Sequence, residues 1–168
     1  MTQLYAQRYD ISATGFYFDT REEYEQKAAK NRNQMGFPVE EYELQFIDGE
    51  DIDCKLFAAL QVNQATFGKY LEACDEWSED EKRKVIIAVG ESGYSFDLGS
   101  DTPDDLEVDI YELDSLKELA KQFVDDGLYG EIPATIANYL DYDAIARDLG
   151  FDYTEIEIAG TRLVYRCG

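Results

Sequence analysis

The chain has 168 residues and carries 37 Asp and Glu against 15 Lys and Arg, with no histidine, for a net charge of -22. Such a balance excludes nucleic acid and anionic membranes as partners, because both are gripped through Lys and Arg, and the missing histidine excludes the usual catalytic triads. A hydrophobic share of 45%, with 13 tyrosines and 9 phenylalanines, excludes acidic disorder, which lacks such residues.

Residues 1–61 read as an N-terminal α+β region. Leu4 to Ile11 and Gly15 to Phe18 are extended and aromatic. Thr20-Arg21-Glu22-Glu23 has the spacing of a capping box and predicts a helix to about Asn31, broken by Gly36-Phe37-Pro38. Tyr42, Leu44 and Phe46 alternate with Glu41, Glu43 and Gln45, the pattern of a half-buried strand, and Asp48-Gly49 turns the chain.

Residues 62–103 read as mainly helical. Asn63 is a cap for a helix over Gln64 to Cys74, with Phe67, Tyr70 and Leu71 on one face. Ser78-Glu79-Asp80-Glu81 is a second capping box and opens a helix to about Val89. Gly90, Gly93, Gly99 and Pro103 mark a looser stretch and a candidate boundary.

Residues 104–168 read as a C-terminal α+β region. Leu106 to Leu113 alternates as a strand with Glu107 and Asp109 on its wet face. Ser115 to Glu118 is a third capping box, and Gly127 stands where a helix-ending glycine belongs. Pro133 suits a first helical turn, and Asp141 caps a short helix that ends near Gly150. Thr154–Ile158 and Arg162–Tyr165 flank Ala159-Gly160-Thr161 as a β-hairpin. The expected fold is therefore α+β: an elongated chain of three small regions, with small antiparallel sheets and short helices.

Little in the sequence carries bond-making chemistry. Neither a G-x-x-x-x-G-K-[ST] nor a G-x-G-x-x-G phosphate loop is present. Carboxylate pairs suitable for glycoside hydrolysis arise by chance among so many acids. Asp48–Asp53 and Asp97–Asp101 are oxygen-rich, yet the sixth position of a calcium loop, where glycine belongs, is Asp53 or Thr102, and both read as solvated turns. Cys54, Cys74 and Cys167 are widely spaced and suit a reducing compartment. No metal, cofactor or small-molecule substrate is expected. No apolar run approaches the ~20 residues of a membrane span, and no secretory signal is visible, so the expected location is cytoplasmic.

The acidity is spread along the chain: residues 1–61 carry a net -6, 62–103 a net -5 and 104–168 a net -11. An acidic tail would concentrate it at one end. At one charge per ~1.7 Å of duplex axis, the total corresponds to about 37 Å of DNA, about 11 base pairs, or twice that in a dimer. The candidate partner-binding surface comprises Glu40, Glu41, Glu43, Asp75, Glu76, Glu79, Asp80, Asp104, Asp105, Glu107, Asp109, Glu112, Asp114, Asp125, Asp126, Glu131, Asp141 and Asp143. Ile136, Tyr139, Leu140, Ile145 and Leu149 are candidates for a dimer interface. Most tyrosines suit core or rim positions, whereas Tyr139 and Tyr142, beside Asp141 and Asp143, also suit a binding face. Adaptation to high salt, and an acid-rich hydrolase, are other accounts of the same composition.

The stretch Asp126-Gly127-Leu128-Tyr129-Gly130-Glu131-Ile132-Pro133, followed by Asn138 to Asp143 and Arg147-Asp148-Leu149-Gly150, resembles the antirestriction motif region of the ArdA family. Leu4-Tyr5, Tyr9-Asp10, Gly15 to Asp19 and the glutamate-rich strand Glu40–Phe46 are similar to other parts of that family. The resemblance covers essentially the whole chain. It implies a non-enzymatic antirestriction protein of conjugative plasmids and transposons, an elongated homodimer that mimics B-DNA and occupies the DNA-binding groove of type I restriction-modification enzymes. It carries over no catalytic residue. An acidic adaptor or chaperone for a basic DNA-binding protein is the alternative.

Overall fold

The computed structural model describes residues 1–168. The fold is α+β, with seven α-helices and two antiparallel three-stranded sheets. The chain divides into two compact units, Met1–Leu106 and Glu107–Gly168.

In the first unit, β1 (Gln3–Arg8) lies between β2 (Phe16–Phe18) and β3 (Tyr42–Asp48). Strand alternation points Leu4, Ala6, Phe18, Tyr42 and Leu44 inward, all buried, and leaves Glu43 and Gln45 in water. Helix α1 (Arg21–Lys30) covers the inner face through Tyr24, whose ring lies 5.0 Å from Phe18 and 4.6 Å from Phe67. The Thr20 hydroxyl accepts from the Glu23 amide at 3.1 Å, as the capping spacing predicts. The reciprocal half differs, because the Glu23 carboxylate accepts from the Asp19 amide at 2.9 Å rather than from Thr20.

Helix α2 (Asp51–Leu60) occupies a stretch whose start the sequence reading left as a solvated turn. Its N-cap, Glu50, makes no side-chain cap bond, so the usual start signal is missing. Asp51 and Asp53 lie in the first helical turn, where the helix dipole favours them. The helix ends at Gln61, which holds the left-handed conformation (φ 49°) that glycine ordinarily supplies. Helix α3 (Phe67–Glu76) begins three residues later than expected, because Asn63 and Thr66 bond to each other in a separate turn. Its buried face is Phe67, Tyr70 and Ala73.

Helix α4 (Glu79–Val85) opens with a complete capping box between Ser78 and Glu81 and runs into a π-helical stretch, Ile86–Glu91. Val85, Ile86, Ile87 and Ala88 are buried there and form the apolar centre of the unit. Helix α2 packs on both α4 and the π-helical stretch, so helices on either side of residue 61 share one core. A short 3-10 turn, Pro103–Asp105, closes the unit.

In the second unit, β6 (Thr161–Cys167) is flanked by β4 (Val108–Tyr111) and β5 (Thr154–Ile158). Helix α5 (Leu116–Asp125) lays Leu119 and Phe123 on a cluster with Tyr153 and Val164. The Ser115 hydroxyl caps the Glu118 amide, while Glu155 of β5 accepts from the Leu116 amide at 2.8 Å. A tertiary contact thus completes a cap that looked local in sequence. Gly127 (φ 78°) ends α5, with the Leu128 amide donating to the Phe123 carbonyl, a Schellman closure. Pro133 precedes the short helix α6 (Ala134–Ala137), one position earlier than the sequence suggests. Asp141 caps α7 (Tyr142–Leu149) by accepting from the Ala144 amide.

The β5–β6 hairpin turns on Ala159 (φ 50°) and Gly160 (φ 81°). Two consecutive positive φ values define a turn that prefers Asn-Gly, and alanine there is strained. Ala159→Asn is therefore expected to stabilise the protein by about 0.5–1 kcal/mol. A midpoint in urea equal to or below that of the parent contradicts the turn assignment.

Candidate binding surface

The carboxylates form the outer shell of both units. Every Asp and Glu is exposed except Asp10, Asp19, Glu23, Asp53, Glu81 and Asp101. All the candidate surface acids are among the exposed ones. In the first unit, Glu40 and Glu41 lead into β3 and Glu43 lies on its outward side. Asp75 and Glu76 end α3, Glu79 and Asp80 begin α4, and Asp104 and Asp105 sit on the 3-10 turn. In the second unit, Glu107 precedes β4, Asp109 lies on it, and Glu112 and Asp114 follow it. Asp125 and Asp126 end α5, Glu131 lies in the loop after it, and Asp141 and Asp143 open α7.

These acids do not contribute equally to the external field. Glu79 and Asp80 both pair with Arg83, at 3.3 and 3.1 Å, and Asp143 pairs with Lys117 at 3.1 Å. Arg166 reaches Asp109 at 2.7 Å and stacks over the Tyr153 ring at 5.1 Å, and the Asp109 carboxylate pushes the Arg166 pKa up. Asp105 and Asp141 are occupied as caps. Glu40, Glu41, Glu43, Asp75, Glu76, Asp104, Glu107, Asp114, Asp125, Asp126 and Glu131 make no ion pair, although the Glu76 charge acts on Lys69 and, after the Glu72 carboxylate, helps push its pKa up.

Position along the helices is more telling than number. Helices α1 and α4 follow the dipole, with acids in the first turn and bases in the last. Helices α3 and α5 have no base in the last turn and end instead on Asp75-Glu76 and Asp125-Asp126. A carboxylate at a helix C-terminus opposes the dipole by about 0.3–1 kcal/mol. These four therefore weaken the fold that carries them.

Two sets of groups stand apart from this shell. The Asp53 carboxylate and the Lys82 ammonium meet at 2.7 Å with side-chain exposures of 7% and 6%. Lys82 also donates to the Cys74 carbonyl at 2.8 Å, and the Tyr70 hydroxyl donates to the Asp53 carbonyl at 2.8 Å. The sequence reading placed Asp53 in a solvated turn, and the structure corrects this: α2 turns it inward onto α4. Burial raises the Tyr70 hydroxyl well above its ordinary range and pushes the Cys74 thiol up to about 11. At pH 8 about one Cys74 in a thousand is then a thiolate, so alkylation is expected to label exposed Cys54 first and Cys74 only on unfolding. Peptide mass mapping after a timed pulse checks the order.

The apolar candidates of the second unit separate into two groups. Leu149 packs against the core cluster of Leu119, Phe123, Tyr153 and Val164, and Leu140 and Ile145 are half-buried. Ile136 and Tyr139 are exposed, Tyr139 by 85%, as are Leu128 and Tyr129. No residue of α6 is buried. Sequence reasoning passed over Leu128, Tyr129 and Phe151 as exposed apolar groups, because only the fold shows which of them lack a neighbour.

No group of three or more His, Cys, Asp or Glu side chains is placed to hold a metal ion. No helix is long and apolar enough to cross a membrane. The model of the antirestriction protein family ArdA matches residues 9–161. The chain belongs to the ArdA antirestriction family. The match extends over most of both units and takes in every Asp and Glu of the chain, from Asp10 to Glu157. No curated protein matches the chain.

Proposed function

We propose that this ArdA-family protein acts by binding alone: its carboxylates stand in for DNA phosphates and compete for the DNA-binding groove of type I restriction-modification enzymes. The observation that supports this reading most directly is the placement of Asp75-Glu76 and Asp125-Asp126. Selection for stability disfavours acids at helix C-termini, so charges retained there point to an external use. Groove Lys and Arg that grip phosphates would meet these carboxylates instead, and counterions held by both surfaces would be released. Titrating the protein into a complex of DNA and a type I methyltransferase is expected to release the DNA. A stable ternary complex at saturating protein would favour the adaptor or chaperone role and sink the mimic.

The same reading extends to a homodimer formed through residues 104–168. Exposed Ile136 and Tyr139, with Leu128 and Tyr129 nearby in sequence, supply an apolar surface of the kind that pairs copies. Tyr139→Glu is expected to leave a monomer in sedimentation velocity, with circular dichroism unchanged. An unaltered dimer mass places the interface elsewhere.

A further inference from the structure

One part of this acidic protein has the opposite charge. Residues 26–39 contain no Asp or Glu and hold Lys27, Lys30 and Arg32. Lys27 is paired with Glu23 at 2.6 Å, whereas Lys30 makes no ion pair and Arg32 donates only to the backbone carbonyls of Ala29 and Asn31. Asp10, on the facing loop, is already engaged: its carboxylate accepts from Ser12 and Asn33 and is held below its usual range by those bonds.

The same part carries the most exposed apolar side chains of the first unit besides Met1. Ile11 is 92% exposed and Met35 77%, and Tyr9 and Phe37 are each more than half exposed. They sit on two loops joined by polar bonds. Asn33 donates to Asp10 across the gap at 3.0 Å, and the Gln34 amide donates to the Ser12 hydroxyl at 3.3 Å. The Asn33 side-chain oxygen Oδ1 accepts from the backbone amides of Met35 and Phe37 at 2.9 and 3.0 Å, and Arg32 bridges to Pro38 at the base of the loop. The apolar groups are thus held outward on a fixed frame, which lowers the entropy lost on docking.

We propose that this tip is a second docking element, which seats Ile11, Met35 and Phe37 in an apolar pocket rimmed by carboxylates on the restriction-modification enzyme, outside its DNA-binding groove. The inference rests on the proposed function for the identity of the partner. Its placement follows from charge. A groove lined by Lys and Arg attracts the acidic shell and repels Lys30 and Arg32, so the tip belongs on a neighbouring surface of the opposite sign. A lipid surface suits it less, because anionic headgroups repel a chain of net -22. Exposed aromatic and long apolar side chains on a rigid frame are typical anchors of protein interfaces.

The test compares two variants with the parent in competition against DNA for a purified type I methyltransferase. Ile11→Ser/Met35→Ser/Phe37→Ser is expected to bind at least tenfold more weakly, with the slope of log K against log salt unchanged. Lys30→Glu/Arg32→Glu is expected to weaken binding although it makes the protein more acidic, the reverse of what charge mimicry by itself requires. Thermal melts confirm that both variants fold. If the parent displaces DNA and both folded variants match it, the tip has no docking role and the proposed function stands. If the parent fails to displace DNA, both readings fall. Loss of the dimer in the tip variants, or co-sedimentation of the parent with phosphatidylserine vesicles at 0.15 M salt, reassigns the tip to a second copy or to lipid and overturns the inference.

Discussion

Lys82→Met lowers the unfolding free energy by about 3–5 kcal/mol, the expected cost of leaving a buried carboxylate without its counter-charge. Asp53 and Lys82 are both nearly inaccessible and meet at 2.7 Å, and the ammonium also anchors the Cys74 carbonyl. The methionine fills most of the lysine volume, so packing loss is small and the electrostatic effect dominates. The double variant Asp53→Leu/Lys82→Met is expected to recover much of the loss, since a buried ion pair replaced by apolar groups of similar size is often neutral. Urea unfolding of the parent, the single variant and the double variant measures the coupling. A single variant within about 1 kcal/mol of the parent shows that water or a side-chain shift compensates the charge, and the pair then contributes little to the fold.

Neutralising Asp75, Glu76, Asp125 and Asp126 to their amides is expected to move stability and inhibition in opposite directions. Removing four charges that oppose helix dipoles stabilises the protein by about 1–4 kcal/mol in total. The same four are exposed and make no ion pair, so inhibition of a type I enzyme is expected to weaken. At about 0.2–1 kcal/mol per screened contact the four together reduce affinity roughly tenfold, and any one of them by less than about fivefold. Asp109→Asn should matter less again, because Arg166 already engages that carboxylate. Rising salt should slow association by the parent more than by the fourfold variant, since rim charges act chiefly on the encounter rate. Titrations at two salt concentrations, beside thermal melts, read both effects. A single amide substitution that abolishes inhibition in a folded protein would falsify the distributed mechanism and point to one discrete site.

Local signals carried much of the secondary structure. The Ser78 capping box, the Asp141 cap, Gly127 after α5 and the alternation at Tyr42 to Phe46 all act within a few residues of chain, so their physics is written in neighbouring letters. The α2 helix was not legible because its cap makes no side-chain bond and its acids imitate a turn. The Asn63 signal was real but belonged to a turn that ends where α3 begins. In the second unit the hairpin and its turn at Ala159-Gly160 were legible while the positive φ of Ala159 was not, since nothing in alanine announces it.

By itself the sequence determined the kind of surface: a net charge of -22 spread over the chain and a large aromatic share require a folded polyanionic surface, and the motif around Asp126 to Gly150 pointed to the family that the match over residues 9–161 then showed. Charge is additive and needs no fold to be counted. Only the tertiary structure decided which charges are left exposed and unpaired. It turned Asp53 inward to Lys82, matched Asp109 with Arg166 across paired strands, and left Asp75, Glu76, Asp125 and Asp126 exposed at helix ends without an ion pair. It also brought Asp10 and Asn33 together and so raised an apolar, basic tip from two loops that are unremarkable when read separately. Pairing and exposure depend on distances between residues far apart in the chain, and those distances are set by how the sheets and helices pack.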